Sequence, residues 1–180
     1  HRRRTFTMTT TTCEDTPHDG APTSWSTEVD QLAAGVSGEI KQQRLVLVSA
    51  GNTDNFTFGA GNYLDRCDHE DNEIESPAQA WNVLSVGAFT EKTVLPDGEP
   101  AQALAPFGDL SPASRTASWS SHWPNKPDVV LEGGNWALSA MPPPMRHGWL
   151  SLLSTHHNYP VRSFTFTFDT SAATALAAKD

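Results

Sequence analysis

An asparagine in the first third of the chain stands where a hydrogen-bond donor could do chemistry. Asn52 follows the apolar run 44–50 and closes the segment Ser49-Ala50-Gly51-Asn52. At the carboxyl end of a buried parallel strand, an asparagine side chain projects its N–H into the crevice where open α/β sheets bind ligands. Such a donor could stabilise an oxyanion. The same residues are also typical of an ordinary Gly-Asn turn, so both interpretations stay open.

A serine near the end of the chain has the setting of a nucleophile. Ser171 lies in Thr170-Ser171-Ala172-Ala173, after a predicted strand and Asp169, and at the start of an Ala-rich segment. Helix N-terminal amides and the helix dipole favour negative charge that builds up beside such a hydroxyl. Serine is also among the commonest N-caps, and the motif alone favours that structural role.

The elements that must position these two residues have the pattern of an α/β protein. A β-branched segment, Thr5 to Thr12, predicts a strand. Apolar residues then recur at helical spacing and predict a helix from Trp25 to Ile40, with Ser24 as N-cap and Glu28 in the first turn. The run 44–50 is typical of a strand buried on both faces. Strand, helix and buried strand predict a mainly parallel sheet covered by helices.

The rest of the chain predicts shorter elements separated by long loops within one domain, 1–180. An acidic loop occupies 53–76, and Pro-rich loops occupy 94–127 and 141–146. Further strands are predicted at 82–90, 128–131 and 163–168, and a helix at 171–179.

Charge and hydropathy exclude several classes of function. The net charge is −9, with 12 Lys and Arg against 21 Asp and Glu, so a nucleic-acid partner is not expected. No apolar stretch approaches the roughly 20 residues of a membrane-spanning helix, and the N-terminus lacks the apolar region of a signal peptide. We expect a soluble protein without membrane attachment, either in a bacterial cytoplasm or exported with its signal absent.

The sequence gives little indication of a metal site or a redox site. Cys13 and Cys67 belong to no metal-binding spacing and are expected to be simple thiols. Carboxylates crowd the acidic loop between Asp65 and Glu75 and could hold Ca²⁺, although their spacing matches no defined calcium loop and also suits a solvated surface. We therefore expect no metal site and no cofactor, with a structural calcium as the alternative.

Four motifs, taken in order, resemble those of the subtilisin-like serine peptidases, the subtilase family, from about Thr5 to Lys179. The family's Ala-Gly-Asn strand is matched by 48–52, its Val-Gly-Ala strand by 83–88 with Pro77 upstream, and its Lys-Pro-Asp-Val-Val motif by 126–130. Its Gly-Thr-Ser-Ala-Ala nucleophile motif is matched by 170–173. The resemblance implies a subtilisin-like three-layer α/β fold and a serine endopeptidase that works through an acyl-enzyme.

Site roles follow from the resemblance residue by residue. It implies that Ser171 is the nucleophile, and that Asn52 and the backbone N–H of Ser171 form the oxyanion hole. It also implies that the strand at Thr5 to Thr10 lines the substrate cleft and pairs with a peptide or protein substrate in extended form. Many subtilases bind calcium, which is the source of the calcium alternative above.

The sequence departs from the family pattern at several positions. The triad Asp and His, which precede the Ala-Gly-Asn strand in the family, are not found in this chain. Only His1 and His18 lie before Asn52, and neither has the family's His-Gly-Thr-His context. Asp169 replaces a glycine, and Glu132 replaces a proline. We expect a partial catalytic domain, truncated at both ends, whose activity alone is undecided.

Two alternatives therefore accompany the peptidase interpretation. One is a non-catalytic subtilase-fold domain that binds or scaffolds extended peptides or a partner chain. The other is complementation, in which the missing remainder of the catalytic domain or another chain supplies the base and its orienting acid.

Overall fold

The computed structural model describes residues 4–12, 19–36, 42–53, 63–68, 72–117, 119, 122–140 and 143–179. Two α-helices are present there, α1 (Ser24–Ala34) and α2 (Asp169–Ala177), with 3₁₀ turns at Tyr63–Asp68 and Gly148–Leu150. The strands are β1 (Thr5–Met8), β2 (Leu45–Ser49), β3 (Leu84–Phe89), β4 (Gln102–Ala103), β5 (Val129–Glu132), β6 (Trp136–Leu138), β7 (Met145–Arg146), β8 (Leu152–Thr155) and β9 (Phe164–Thr167).

A four-stranded parallel sheet in the order β1-β2-β3-β5 organises the described chain. The register pairs Phe6 with Val46, Val48 with Ser85, and Gly87 with Val130. The first strand, α1 and the second strand form the expected βαβ unit, so the predicted α/β class with a mainly parallel sheet is confirmed. Smaller antiparallel sheets, β4-β6-β7 and the hairpin β8-β9, lie outside it.

Alternate residues of the buried strand β2 divide the core into two layers. Val46 and Val48 pack in a cluster with Val29 and Ala33 of α1. Leu47, between them, packs in a second cluster with Ala173 of α2. Because successive side chains of a strand point to opposite faces, this continuous apolar run needs a helix on each side. The second helix, which carries the candidate serine, is thus held against the centre of the sheet.

The predicted bounds of α1 were wrong at both ends. The N-cap is Thr23 and not Ser24, because the side chains of Thr23 and Ser26 satisfy each other's backbone N–H in a capping box. The helix ends at Ala34 because Gly35 adopts a left-handed conformation with φ of 72°. Its first turn holds no acidic residue, so Glu28 does not act there. The rest of the predicted helix, 37–40, lies outside the described residues.

Other predicted bounds also shift. The strand predicted to reach Thr12 ends at Met8, and that predicted to begin at Arg44 begins at Leu45. The acidic loop 53–76 contains the 3₁₀ turn at Tyr63–Asp68, and the two Pro-rich loops contain β4 and β7. Among the described residues, no helix is both long and apolar enough to cross a membrane.

An ion pair between the buried Lys126 and the exposed Asp128 joins the amino ends of β3 and β5. Lys126, 5% exposed, places Nζ 2.7 Å from Asp128 Oδ2, and the same oxygen accepts from the N–H and hydroxyl of Ser85, each at 2.7 Å. Burial alone would raise the pKa of Asp128, but the bonds from Lys126 and Ser85 outweigh it and hold that pKa below its usual value.

Candidate active site

Asn52 and Thr170 meet at the carboxyl end of the parallel sheet. The N–H of Thr170 donates to Asn52 Oδ1 at 3.0 Å, and its hydroxyl donates to the same oxygen at 2.7 Å. A backbone N–H can only donate, so the side-chain atom that it meets must be the amide oxygen. Among the described residues, the hydrogen bonds to the Asn52 side chain involve its oxygen, and its amide nitrogen has no acceptor there.

Close approach of two backbones brings the start of α2 to this edge. The N–H of Asp169 donates to Gly133 O, just beyond the end of β5, at 2.6 Å. A Cβ on Gly133 would lie 2.4 Å from Ala88 Cβ and 2.9 Å from Asp169 O, so only glycine fits there. The following turn is held by Glu132, whose carboxylate accepts from the N–H groups of Gly134 and Glu91 at 2.6 Å each. Glutamate thus has a structural role where the family has proline.

Ser171 lies in the first turn of α2 and is half-buried. The N-cap is Phe168, which makes no side-chain cap bond, so Ser171 does not have the alternative role of a capping serine. Its hydroxyl, next to Thr170, is two residues from the left-handed turn at Asp169, φ 66°. Within the described ranges no histidine makes a hydrogen bond with this hydroxyl; His1, His18 and His69 lie outside those ranges.

Asp169 is 3% exposed, and its charge is compensated by residues that the sequence motifs did not indicate. Arg146 of β7 contacts Oδ2 through Nε at 3.1 Å and Nη2 at 2.5 Å. The indole N–H of Trp136 of β6 donates to Oδ1 at 3.3 Å. Arg146 is the basic residue of the predicted Pro-rich loop, but nothing in its spacing pointed to Asp169.

A second ion pair braces the backbone of Asn52. Arg115 donates from Nε to Asn52 O at 2.9 Å and places Nη2 2.7 Å from Glu75 Oε1. Thr11, beyond the end of β1, donates its hydroxyl to Glu75 Oε2 at 2.9 Å. The sequence suggested Glu75 as one member of an acidic cluster, whereas here it joins the segment after β1 to the Asn52 loop. Of the other cluster members, 69–71 lie outside the described residues.

The fold is an α/β class built on a parallel sheet, with polar groups gathered at the carboxyl end of that sheet. The model of the subtilase family of peptidases matches residues 1–179, and the chain belongs to that family. This membership supports a serine-type hydrolase in general terms. No curated protein matches the chain.

Proposed function

We propose that this chain carries the nucleophile and oxyanion segment of a serine endopeptidase. The observation that supports this most is the pair of bonds from Thr170 to Asn52 Oδ1. They hold the amide oxygen of Asn52 against Thr170 and so leave its amide nitrogen as the donor beside the first turn of α2, where Ser171 lies. A nucleophile next to a preorganised donor is the arrangement that acyl transfer requires.

In the proposed reaction, Ser171 Oγ attacks the carbonyl carbon of the scissile peptide bond. As the carbonyl oxygen becomes negative, it accepts from the Asn52 side chain and from the backbone N–H of Ser171. A base must take the hydroxyl proton and later give it to the leaving amine, because a serine hydroxyl is a poor nucleophile at neutral pH. We propose that a histidine oriented by an aspartate does so, supplied by residues beyond those described or by a partner chain.

Substrate binding is proposed at the edge of the sheet. Of the described strands, β1 is the outermost on its side of the parallel sheet and pairs only with β2. Its continuation, Thr11, is tied through Glu75 and Arg115 to the Asn52 loop. An extended peptide that adds to this edge would run toward Asn52 and Ser171 through main-chain hydrogen bonds. We therefore propose an extended peptide or protein as substrate.

Covalent labelling with a fluorophosphonate tests the proposal. The reagent is applied to the 1–180 chain and, separately, to the full product of its gene, and the modified residue is located by mass spectrometry. We expect stoichiometric labelling of Ser171 in the full product. Labelling of the 1–180 chain alone would show that a base lies within it. Absence of Ser171 labelling in both folded preparations would contradict the peptidase proposal.

A non-catalytic peptide-binding domain is the second candidate. It is favoured by one observation: no histidine among the described residues reaches the Ser171 hydroxyl. In that case the folded protein binds extended peptides at the β1 edge but never forms a covalent adduct. Calorimetric titration with unstructured peptides, beside the labelling experiment, separates binding alone from binding with acylation.

A further inference from the structure

The residue just before the nucleophile segment is both buried and charged. Asp169 is left-handed, with φ of 66°, and 3% exposed. Aspartate tolerates this conformation better than most residues other than glycine, but an isolated buried carboxylate is costly. Its place in the fold therefore depends on the groups that compensate its charge.

Arg146 provides that compensation and is itself fixed by aromatic rings. Besides its two contacts with Asp169 Oδ2, its guanidinium carbon lies 4.9 Å from the ring centroid of Trp136 and 5.8 Å from that of Phe168. Both distances suit cation–π contact. Trp136 also donates to Asp169. The side chains of Trp136 in β6, Arg146 in β7, Phe168 and Asp169 therefore form one cluster.

This cluster acts on the turn that sets the oxyanion donors. Asp169 is anchored through its N–H to Gly133 O, and the next residue, Thr170, orients the Asn52 amide. Without Arg146, the buried Asp169 carboxylate would lose its arginine partner two residues before Ser171. Like charges repel strongly at low effective dielectric constant, so the carboxylate would oppose the reaction as well as loosen the turn.

We propose that Arg146 and Asp169 are positioning residues: a charge-compensated clamp that holds the Thr170–Asn52 contact and protects the oxyanion site from the Asp169 charge. The part concerning reactivity rests on the proposed peptidase function. The part concerning the Thr170–Asn52 contact does not.

Hydrogen exchange and labelling of four variants test the clamp. The variants are Arg146→Met, Asp169→Gly, their double variant, and the control Arg162→Met at an exposed arginine. Exchange of the Thr170 amide is compared with that of Val86, a buried residue of β3, so that global unfolding cancels. Fluorophosphonate labelling of Ser171 in the full gene product is expressed per folded molecule. A loss of stability in a variant then does not change the measured labelling rate.

In Arg146→Met we expect Thr170 exchange, relative to Val86, to rise about tenfold, and labelling to slow by about tenfold or more. The double variant should label faster than Arg146→Met, because it also removes the carboxylate that Arg146→Met leaves without its arginine. Thr170 exchange and labelling that match the Arg162→Met control would overturn the clamp.

Two further outcomes are decisive. If Arg146→Met does not fold, Asp169→Gly alone decides, because glycine adopts the left-handed turn without strain. Faster Thr170 exchange in it supports the clamp, and unchanged exchange overturns it. If the wild type never labels, the peptidase proposal and the reactivity part fail together, and the exchange comparison decides whether the clamp holds the contact.

Discussion

The two ends of the parallel sheet use polar side chains in different ways. At the amino end, Lys126, Asp128 and Ser85 bond to one another and to backbone, with Lys126 almost fully buried. At the carboxyl end, Asn52 engages Thr170 through its oxygen only, and Ser171 makes no side-chain hydrogen bond within the described residues.

This difference separates polar groups that bond inside the protein from groups that keep hydrogen-bonding capacity among the described residues. A buried polar group whose bonds are all made inside the protein adds to stability and has nothing left to offer a ligand. A donor that is oriented but not used can meet a charge that appears only during a reaction. Substitutions at the carboxyl end should therefore change reactivity, and those at the amino end should change stability.

Replacing the candidate nucleophile should give the largest effect. Ser171→Ala is expected to abolish fluorophosphonate labelling of the full gene product, because the attacking oxygen is gone, and to change the free energy of unfolding by less than about 1 kcal/mol. Mass spectrometry and urea unfolding measure the two quantities. Ser154→Ala, an exposed serine of β8, is the control. Persistent labelling of Ser171→Ala at another residue would place the nucleophile elsewhere.

Removing the oriented amide should come next. Asn52→Ala is expected to slow labelling of Ser171 by about 10²- to 10³-fold, which is the size of the effect established for the corresponding asparagine of subtilisin. Asn82→Ala, an exposed asparagine before β3, should label at the wild-type rate. Equal rates in the two variants would exclude Asn52 from the oxyanion site.

A substitution at the amino end of the sheet should change stability and leave the labelling of Ser171 unchanged. Lys126→Met keeps the apolar stem but removes the ammonium group, which leaves Asp128 without its cation. We expect unfolding to become easier by about 1–3 kcal/mol in urea, with Ser171 labelling per folded molecule unchanged. The exposed Lys92→Met should show neither change. Slower labelling in Lys126→Met folded molecules would mean that the two ends are coupled.

The smallest effect concerns the stability of the fold at low pH. Because the pKa of Asp128 is lowered in the folded state, its contribution to stability is complete above the ordinary aspartate pKa near 4 and is lost as the pH falls through the lowered value. The urea midpoint should therefore fall less between pH 7 and pH 3 in Asp128→Asn than in the wild type. Asp97→Asn, an exposed control, should follow the wild type. Identical losses in all three would refute this role of Asp128.

Sequence patterns predicted the parallel sheet and the helices that cover it, because both depend on hydrophobic periodicity. Leu47 and Val48 lie in one continuous apolar run, which is typical of a strand covered on both faces. Element ends were harder to predict. Thr23 and Ser24 are equally suitable N-caps by residue type, and the reciprocal bonds between Thr23 and Ser26 decide for Thr23.

The candidate site was predicted in part. Local motifs pointed to Asn52 and Ser171, and the structure places Asn52 beside the first turn of the helix that carries Ser171. Their roles in catalysis remain predictions. Arg146 was missed because its partner is 23 residues away and no periodic pattern relates two such positions. Glu75 was placed in a solvated cluster because a charge that pairs with a distant arginine looks the same in sequence as one that faces water.

The contact between Thr170 and Asn52 joins residues 118 positions apart. During synthesis the asparagine therefore leaves the ribosome long before its partner is made, and its amide has no fixed orientation in the interval. Contacts of such long range form only when most of the intervening chain has folded. A nascent chain would consequently lack the fixed orientation of the Asn52 amide until Thr170 has been made and has folded against the sheet.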